Sequence, residues 1–171
     1  TNIDRSKFEI VIYHLGNQED EETSYARSLA DTWRDRRTIS GARDWLNAAV
    51  AERADAIFYP ELGMASLSYM LAAHRLAPVQ VASWGHPVTS GLSTIDLYFS
   101  GELLEPVDAK SHYRERLVLL PGTGCCTEPL PIAAVPLSDE LAKKISGPGP
   151  RFLVAQRAMK FDPADDQIFA A

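Results

Sequence analysis

The sequence lacks most of the features that announce a metal, a membrane or a nucleic acid. Its only cysteines, Cys125 and Cys126, are adjacent, and neighbouring residues reach neither ordinary disulfide geometry nor a metal site without further ligands. They read as reduced thiols of a cytoplasmic protein. The four histidines, His14, His74, His86 and His112, show no ligand-pair spacing, which argues against a catalytic metal. No apolar run approaches the roughly 20 residues that span a bilayer, and no basic-then-apolar segment opens the chain. No G-x-G-x-x-G follows the first strand-like run, so the usual sign of an NAD-type oxidoreductase is missing. Seventeen Lys and Arg against 23 Asp and Glu leave a net charge of −6, and the basic residues form no stripe that could track phosphates.

What is present suits a compact α/β domain. Of 171 residues, 46% are hydrophobic and 23% charged, enough to build a core and too apolar for a disordered chain. FEIVIYHL, residues 8–15, reads as a buried strand closed by the Gly16-Asn17 turn. Tyr25, Leu29, Thr32 and Trp33 then recur at helical spacing behind a cap at Thr23 or Ser24. Ile39 to Val50 carries a second apolar stripe, capped by Ser40 and running to about Arg53. Ala56 to Tyr59, Val79 to Ser83, Ile95 to Phe99 and Leu117 to Leu120 read as further strands, with a helix through Leu67, Met70, Leu71 and His74 between the first two. Strands alternating with helices predict a Rossmann-like, doubly wound parallel sheet, whose ligands sit at the carboxyl ends of the strands.

Residues 1–120 are thus assigned to one Rossmann-like domain. From 121 to 150 prolines and glycines accumulate around a short amphipathic segment at Leu141, as in an interdomain connection. Residues 151–171 begin a second domain with a strand over Phe152 to Ala155 and a helix start after Asp162-Pro163. One strand and part of a helix cannot form a core, so both ends are expected to be truncated.

The segment richest in chemistry is Trp84-Gly85-His86-Pro87-Val88-Thr89-Ser90-Gly91, directly after the Val79 to Ser83 strand. Its glycines permit close backbone approach, Thr89 and Ser90 offer hydroxyls, and main-chain amides could hold an anion. The same residues would also make a plain structural turn. His86 could serve as general base or hydrogen-bond donor, or could satisfy a nearby carbonyl. Glu61, beyond Tyr59, is either a hydroxyl-binding carboxylate or a solvated loop residue. Gln156 and Lys160 could meet a diphosphate, although a strand-end lysine is often only solvated.

The ordered succession ADAIFYPELGM, HRLAPVQVASWGHPVTSGLSTIDLYFS, LLEP, HYRERLVLLPG and FLVAQRAMKFDP resembles the catalytic region of the O-GlcNAc transferase/SPINDLY family of glycosyltransferases, from about Phe8 to Pro163. RLAPVQ followed by WGHPVTSG and Ile95-Asp96 is the most specific stretch, and adhesin N-glycosyltransferases share part of the pattern, including a GHP turn. The resemblance implies two Rossmann-like domains facing across a cleft, the GT-B arrangement, with a helical TPR region elsewhere in the parent chain. It places Gly85, His86 and Pro87 near the donor sugar and Lys160 on the donor diphosphate, and Thr89 joins them as a donor-binding candidate through its hydroxyl. Gln156 lies four positions before Lys160, and Arg157 stands where some members carry glutamine. The implied reaction is metal-independent, inverting transfer of a sugar from UDP-GlcNAc or a related donor to a protein acceptor, without cofactor. This piece alone is expected to be inert. The alternative is a non-catalytic Rossmann-like binding module.

Overall fold

In the computed structural model, residues 2–126, 133, 135–150, 154, 156–157 and 160–169 are described. The chain divides into two compact units, Thr1–Thr127 and Glu128–Ala171. The first runs β1 (Val11–His14), α1 (Glu21–Leu29), β2 (Thr32–Asp35), α2 (Ala42–Glu52), β3 (Ala56–Tyr59), α3 (Ser66–Ala72), β4 (Val79–Ser83), β5 (Leu97–Gly101), a 3-10 turn at Ala109–His112, and β6 (Arg116–Leu120). β1 pairs with β2, and β3-β4-β5-β6 form a second sheet; every pairing is parallel. This is the α/β, Rossmann-like class that the alternation predicts.

β2 departs from the sequence expectation, which placed Thr32 and Trp33 on a helix face. α1 stops at Leu29, and Asp31 turns the chain into register with β1. Its carboxylate accepts the Ile10 amide at 2.7 Å, while the Ile10 carbonyl accepts the amides of Asp31 and Thr32 at 2.9 and 3.2 Å. Parallel pairing with Val11 and Ile12 then overrides the helical spacing. The caps shift too. Asp20, rather than Thr23 or Ser24, caps α1 by accepting the Thr23 amide at 2.8 Å. Gly41, rather than Ser40, precedes α2, which ends at Arg53 in the left-handed region with φ 53°.

β4 is flanked on both sides, and Gln80, Val81 and Ala82 are buried in succession, as in a parallel sheet covered on both faces. The core joins Trp45 of α2, Leu71 and Ala72 of α3, Tyr59, Ala82 and Tyr98 of the sheet, and Ile95. Trp45 is the anchor, with its ring centroid 5.5 Å from that of Tyr13. Because the strands are parallel, Pro60, Trp84, Glu102 and Pro121 all leave the β3–β6 sheet at its carboxyl edge.

In the second unit, α4 (Asp139–Lys144) carries the Leu141 segment, with Ser138 accepting the Leu141 amide as N-cap. Asp162 caps a 3-10 turn at Pro163–Asp165, which leads into α5 (Asp166–Phe169). Of the strand expected over Phe152 to Ala155, residues 152, 153 and 155 lie outside the described residues.

Candidate functional site

The loop that follows β4 is held close against the loop that follows β3. A Cβ on Gly85 would stand 2.3 Å from the Pro60 carbonyl oxygen and 3.0 Å from the Glu61 Cβ, so only glycine fits there. Gly63, with φ 112°, leaves room for the half-buried His86 ring, whose Cδ2 lies 2.6 Å from where a Cβ would be. Glu61 is tied to its own side of the site, accepting the Ser68 hydroxyl at 3.0 Å.

Two buried side chains, one in β5 and one directly ahead of β6, fix this loop. Tyr98, 1% exposed, donates its hydroxyl to the main-chain oxygen of His86 at 2.7 Å, an oxygen that also accepts the Val88 amide. Burial pushes the Tyr98 hydroxyl up to about 12, so it remains a donor throughout the neutral range. Glu115, 5% exposed, accepts the Thr89 hydroxyl at 2.6 Å, the Ser90 amide at 2.8 Å and the Ser90 hydroxyl. Burial alone would raise the Glu115 carboxyl, but the bonds from Ser90 and Thr89 outweigh it and hold the group below its usual value. Glu115 is therefore an ionised acceptor at neutral pH.

Beside this loop lies a cleft of about 430 Å³ at the carboxyl ends of β4 and β5. It is lined by Trp84, Pro87 and Thr89 of this loop and by Leu104, Glu105 and Tyr113 of the connection from β5 to β6. Glu105 is set in place by the Ser100 and Tyr113 hydroxyls, both donating to its Oε1 at 2.6 Å. An aromatic and apolar wall with a fixed carboxylate suits a ligand that combines an apolar face with hydrogen-bond donors.

Gly85, His86, Pro87 and Thr89 all lie in the loop that follows β4, with Gly85 against the β3 loop and Thr89 against Glu115 and the Arg114 amide ahead of β6. Gln156 and Lys160 are exposed in the second unit, where the Lys160 amide donates to the Arg157 carbonyl at 2.9 Å. His74, expected on the apolar face of α3, instead lies exposed just beyond it, with Nδ1 2.9 Å from the Met70 carbonyl. Cys125 and Cys126 are free and exposed. Among the described residues, no three His, Cys, Asp or Glu side chains are grouped to hold a metal, and no helix is long and apolar enough to cross a membrane.

The sequence reading missed Tyr98, Glu105, Tyr113 and Glu115. Glu115 sits in Arg114-Glu115-Arg116, a charged triplet that looks solvated, and its partners lie 25 and 26 residues away. The available signal was the Thr89-Ser90 pair, whose hydroxyls need an acceptor once they approach a core. The family-like stretch RLAPVQ with Ile95-Asp96 builds the opposite, amino edge of the sheet. Fully buried Gln80 donates Nε2 to the carbonyls of His74 and Thr94 and accepts the Leu76 amide, while Asp96 accepts the Gln80 amide and the Arg75 guanidinium. Arg75 and the Gln80 amide hold the Asp96 carboxyl below its ordinary value.

No protein-family model matches the chain. It is 31% identical over 139 residues to the Arabidopsis thaliana protein named Probable UDP-N-acetylglucosamine–peptide N-acetylglucosaminyltransferase SPINDLY, covering 78% of this chain and 15% of that one. A Petunia hybrida protein of the same name is 30% identical over 135 residues, 76% of this chain and 14% of its own length. A Solanum lycopersicum protein of that name is 44% identical over a shorter 61 residues, 36% of this chain and 7% of its own length. Among solved structures, a mutant O-GlcNAc transferase of Thermobaculum terrenum superposes with a TM-score of 0.61 at 26% identity, covering 68% of this chain and 22% of that one. The chain thus spans 7 to 15% of the length of these relatives. In sequence it is similar to SPINDLY-type peptide N-acetylglucosaminyltransferases, and in its α/β Rossmann-like fold to an O-GlcNAc transferase.

Proposed function

We propose that this chain is part of the catalytic region of a glycosyltransferase that moves a sugar, GlcNAc from UDP-GlcNAc, onto protein side chains. The carrying observation is the Gly85–Pro87 turn, pressed against Pro60 and fixed by buried groups at the carboxyl edge of a parallel sheet, in a chain similar to enzymes named for that transfer. The activity would belong to a longer polypeptide of GT-B form, cytoplasmic and carrying a TPR region. In it, residues 1–120 would supply part of the first Rossmann-like domain, 121–150 the connection, and 151–171 the start of the sugar-nucleotide domain.

Gly85, His86 and Pro87 would face the donor sugar, and His86 is the candidate base. Lys160 would neutralise the diphosphate as it leaves, and Gln156 would hydrogen-bond it. Fixed positive charge and main-chain dipoles would then stabilise the leaving group in the absence of a metal, and attack from the opposite face would invert the anomeric carbon.

One observation favours the alternative, a non-catalytic module. The Thr89 hydroxyl donates to Glu115 and accepts the amides of Gly91 and Arg114 at 3.2 and 3.3 Å, which leaves it no free hydrogen-bonding capacity. Turnover of UDP-GlcNAc and protein glycosylation by the full-length protein separate the two readings. Loss of both in folded His86→Ala and Lys160→Ala variants supports the enzyme. A wild type that is inactive with UDP- and GDP-sugars and does not bind UDP leaves the module.

A further inference from the structure

The connection from β5 to β6 ends in Tyr113-Arg114-Glu115, and these three residues reach the β4 loop at both of its ends. Toward the start of the loop, the Tyr113 ring packs 4.6 Å from Tyr98, whose hydroxyl holds the His86 carbonyl. Toward its end, the Arg114 amide donates to the Thr89 hydroxyl, and Glu115 takes the Thr89 hydroxyl and both the amide and hydroxyl of Ser90. Ser90 is held from a further side, since its carbonyl accepts the Tyr69 hydroxyl at 3.0 Å.

A carboxylate 5% exposed is a poor choice if stability alone is at stake, because desolvation opposes it and an apolar side chain of similar volume often serves as well. Several bonds from one charged group to consecutive residues achieve something else: they select one loop conformation out of many. Glu115 meets the loop at its later end. It acts through Thr89 and Ser90.

We propose that Glu115 is a positioning residue of the sugar-nucleotide site: its carboxylate fixes Thr89 and Ser90, and through them holds the Gly85–Pro87 turn in the conformation that meets the donor. This rests on the glycosyltransferase reading above.

The test compares wild type with Glu115→Gln, which keeps the size and removes the charge, in the full-length protein. Steady-state kinetics with UDP-GlcNAc are paired with hydrogen exchange of the segment spanning residues 84–92. Loss of a charge-assisted clamp is expected to raise the donor KM about tenfold, with a smaller change in kcat, and to speed exchange in that segment. A Glu115 that only stabilises the fold would lower the active fraction and leave KM unchanged. Glu115→Asp, which keeps the carboxylate, is expected to recover part of the KM. If Glu115→Gln does not fold, Ser90→Ala removes one donor from the other side and is expected to move KM in the same direction.

Faster exchange with an unchanged KM overturns the positioning role, and so does exchange that matches wild type. A wild type that turns over no sugar nucleotide sinks the glycosyltransferase reading itself, and the positioning role with it. An active wild type matched by an equally active Glu115→Gln sinks the positioning role alone.

Discussion

The hydroxyl of Tyr98 and the main-chain oxygen of His86 are 2.7 Å apart, so a side chain near the start of β5 sets the backbone of the loop that follows β4. Tyr98→Phe removes that donor and little else. The His86 carbonyl keeps the Val88 amide, so the expected cost is one net hydrogen bond, about 1 kcal/mol. Thermal denaturation reads it directly; an unchanged Tm would show that the bond contributes nothing.

Tyr59→Phe should act in the opposite sense. Tyr59 is 7% exposed, and its hydroxyl has no hydrogen-bond partner among the described residues. Deleting a buried, unpaired hydroxyl relieves a desolvation penalty of about 1 kcal/mol or more, so Tm is expected to rise. A fall would reveal a partner such as a buried water.

Gly85→Ala forces a Cβ to within 2.3 Å of the Pro60 oxygen, and backbone on both sides must move. The expected loss is about 1–3 kcal/mol, as for other overpacked sites. Gly16→Ala is the comparison, because its nearest neighbour is the movable His14 ring at 3.1 Å. Equal effects on the denaturation midpoints of the two variants would contradict the close approach of the β3 and β4 loops.

Gln80→Leu preserves volume but leaves the His74 and Thr94 carbonyls and the Leu76 amide without their partner. A destabilisation of about 2–4 kcal/mol is expected, read as a lower urea midpoint at constant m-value. The KM for donor of the folded fraction should not change, because the residue lies at the amino edge of the sheet, away from the Gly85–Pro87 turn.

Alkaline pH should weaken the first unit. Burial pushes Tyr13, Tyr59 and Tyr98 each up to about 12, whereas an unfolded tyrosine ionises near 10. Between about pH 10 and pH 12 the unfolded chain has lost protons that the folded chain retains, so stability falls as pH rises through that window. Urea midpoints at pH 9 and pH 11 test this, and Tyr59→Phe should reduce the difference.

The edges of β3 and β4 are visible in the sequence because apolar runs end at Pro60 and at Trp84-Gly85, and the observed strands match those runs. β2 is not visible: Thr32-Trp33-Arg34-Asp35 has no glycine or proline to separate it from α1, and only pairing with β1 makes it a strand. The loop at Gly85–Ser90 could be picked out from its residue types and its place after a strand. Glu115 could not, since nothing local distinguishes a carboxylate that clamps a distant loop from one that faces water. The same holds for Gln80 and Asp96, which look like ordinary polar positions until the turns around them close.

Gln80, Asp96 and Arg75 bind the strand entrances to one another, while the loops at the strand exits are held by Tyr98 and Glu105, with Glu115 reaching the end of the β4 loop from just ahead of β6. The domain therefore has a chassis and an interchangeable working end. Exit loops could be exchanged between related proteins together with those three side chains, and the graft would inherit a sheet already assembled from below. Divergence of substrate preference would then proceed without renegotiating the fold.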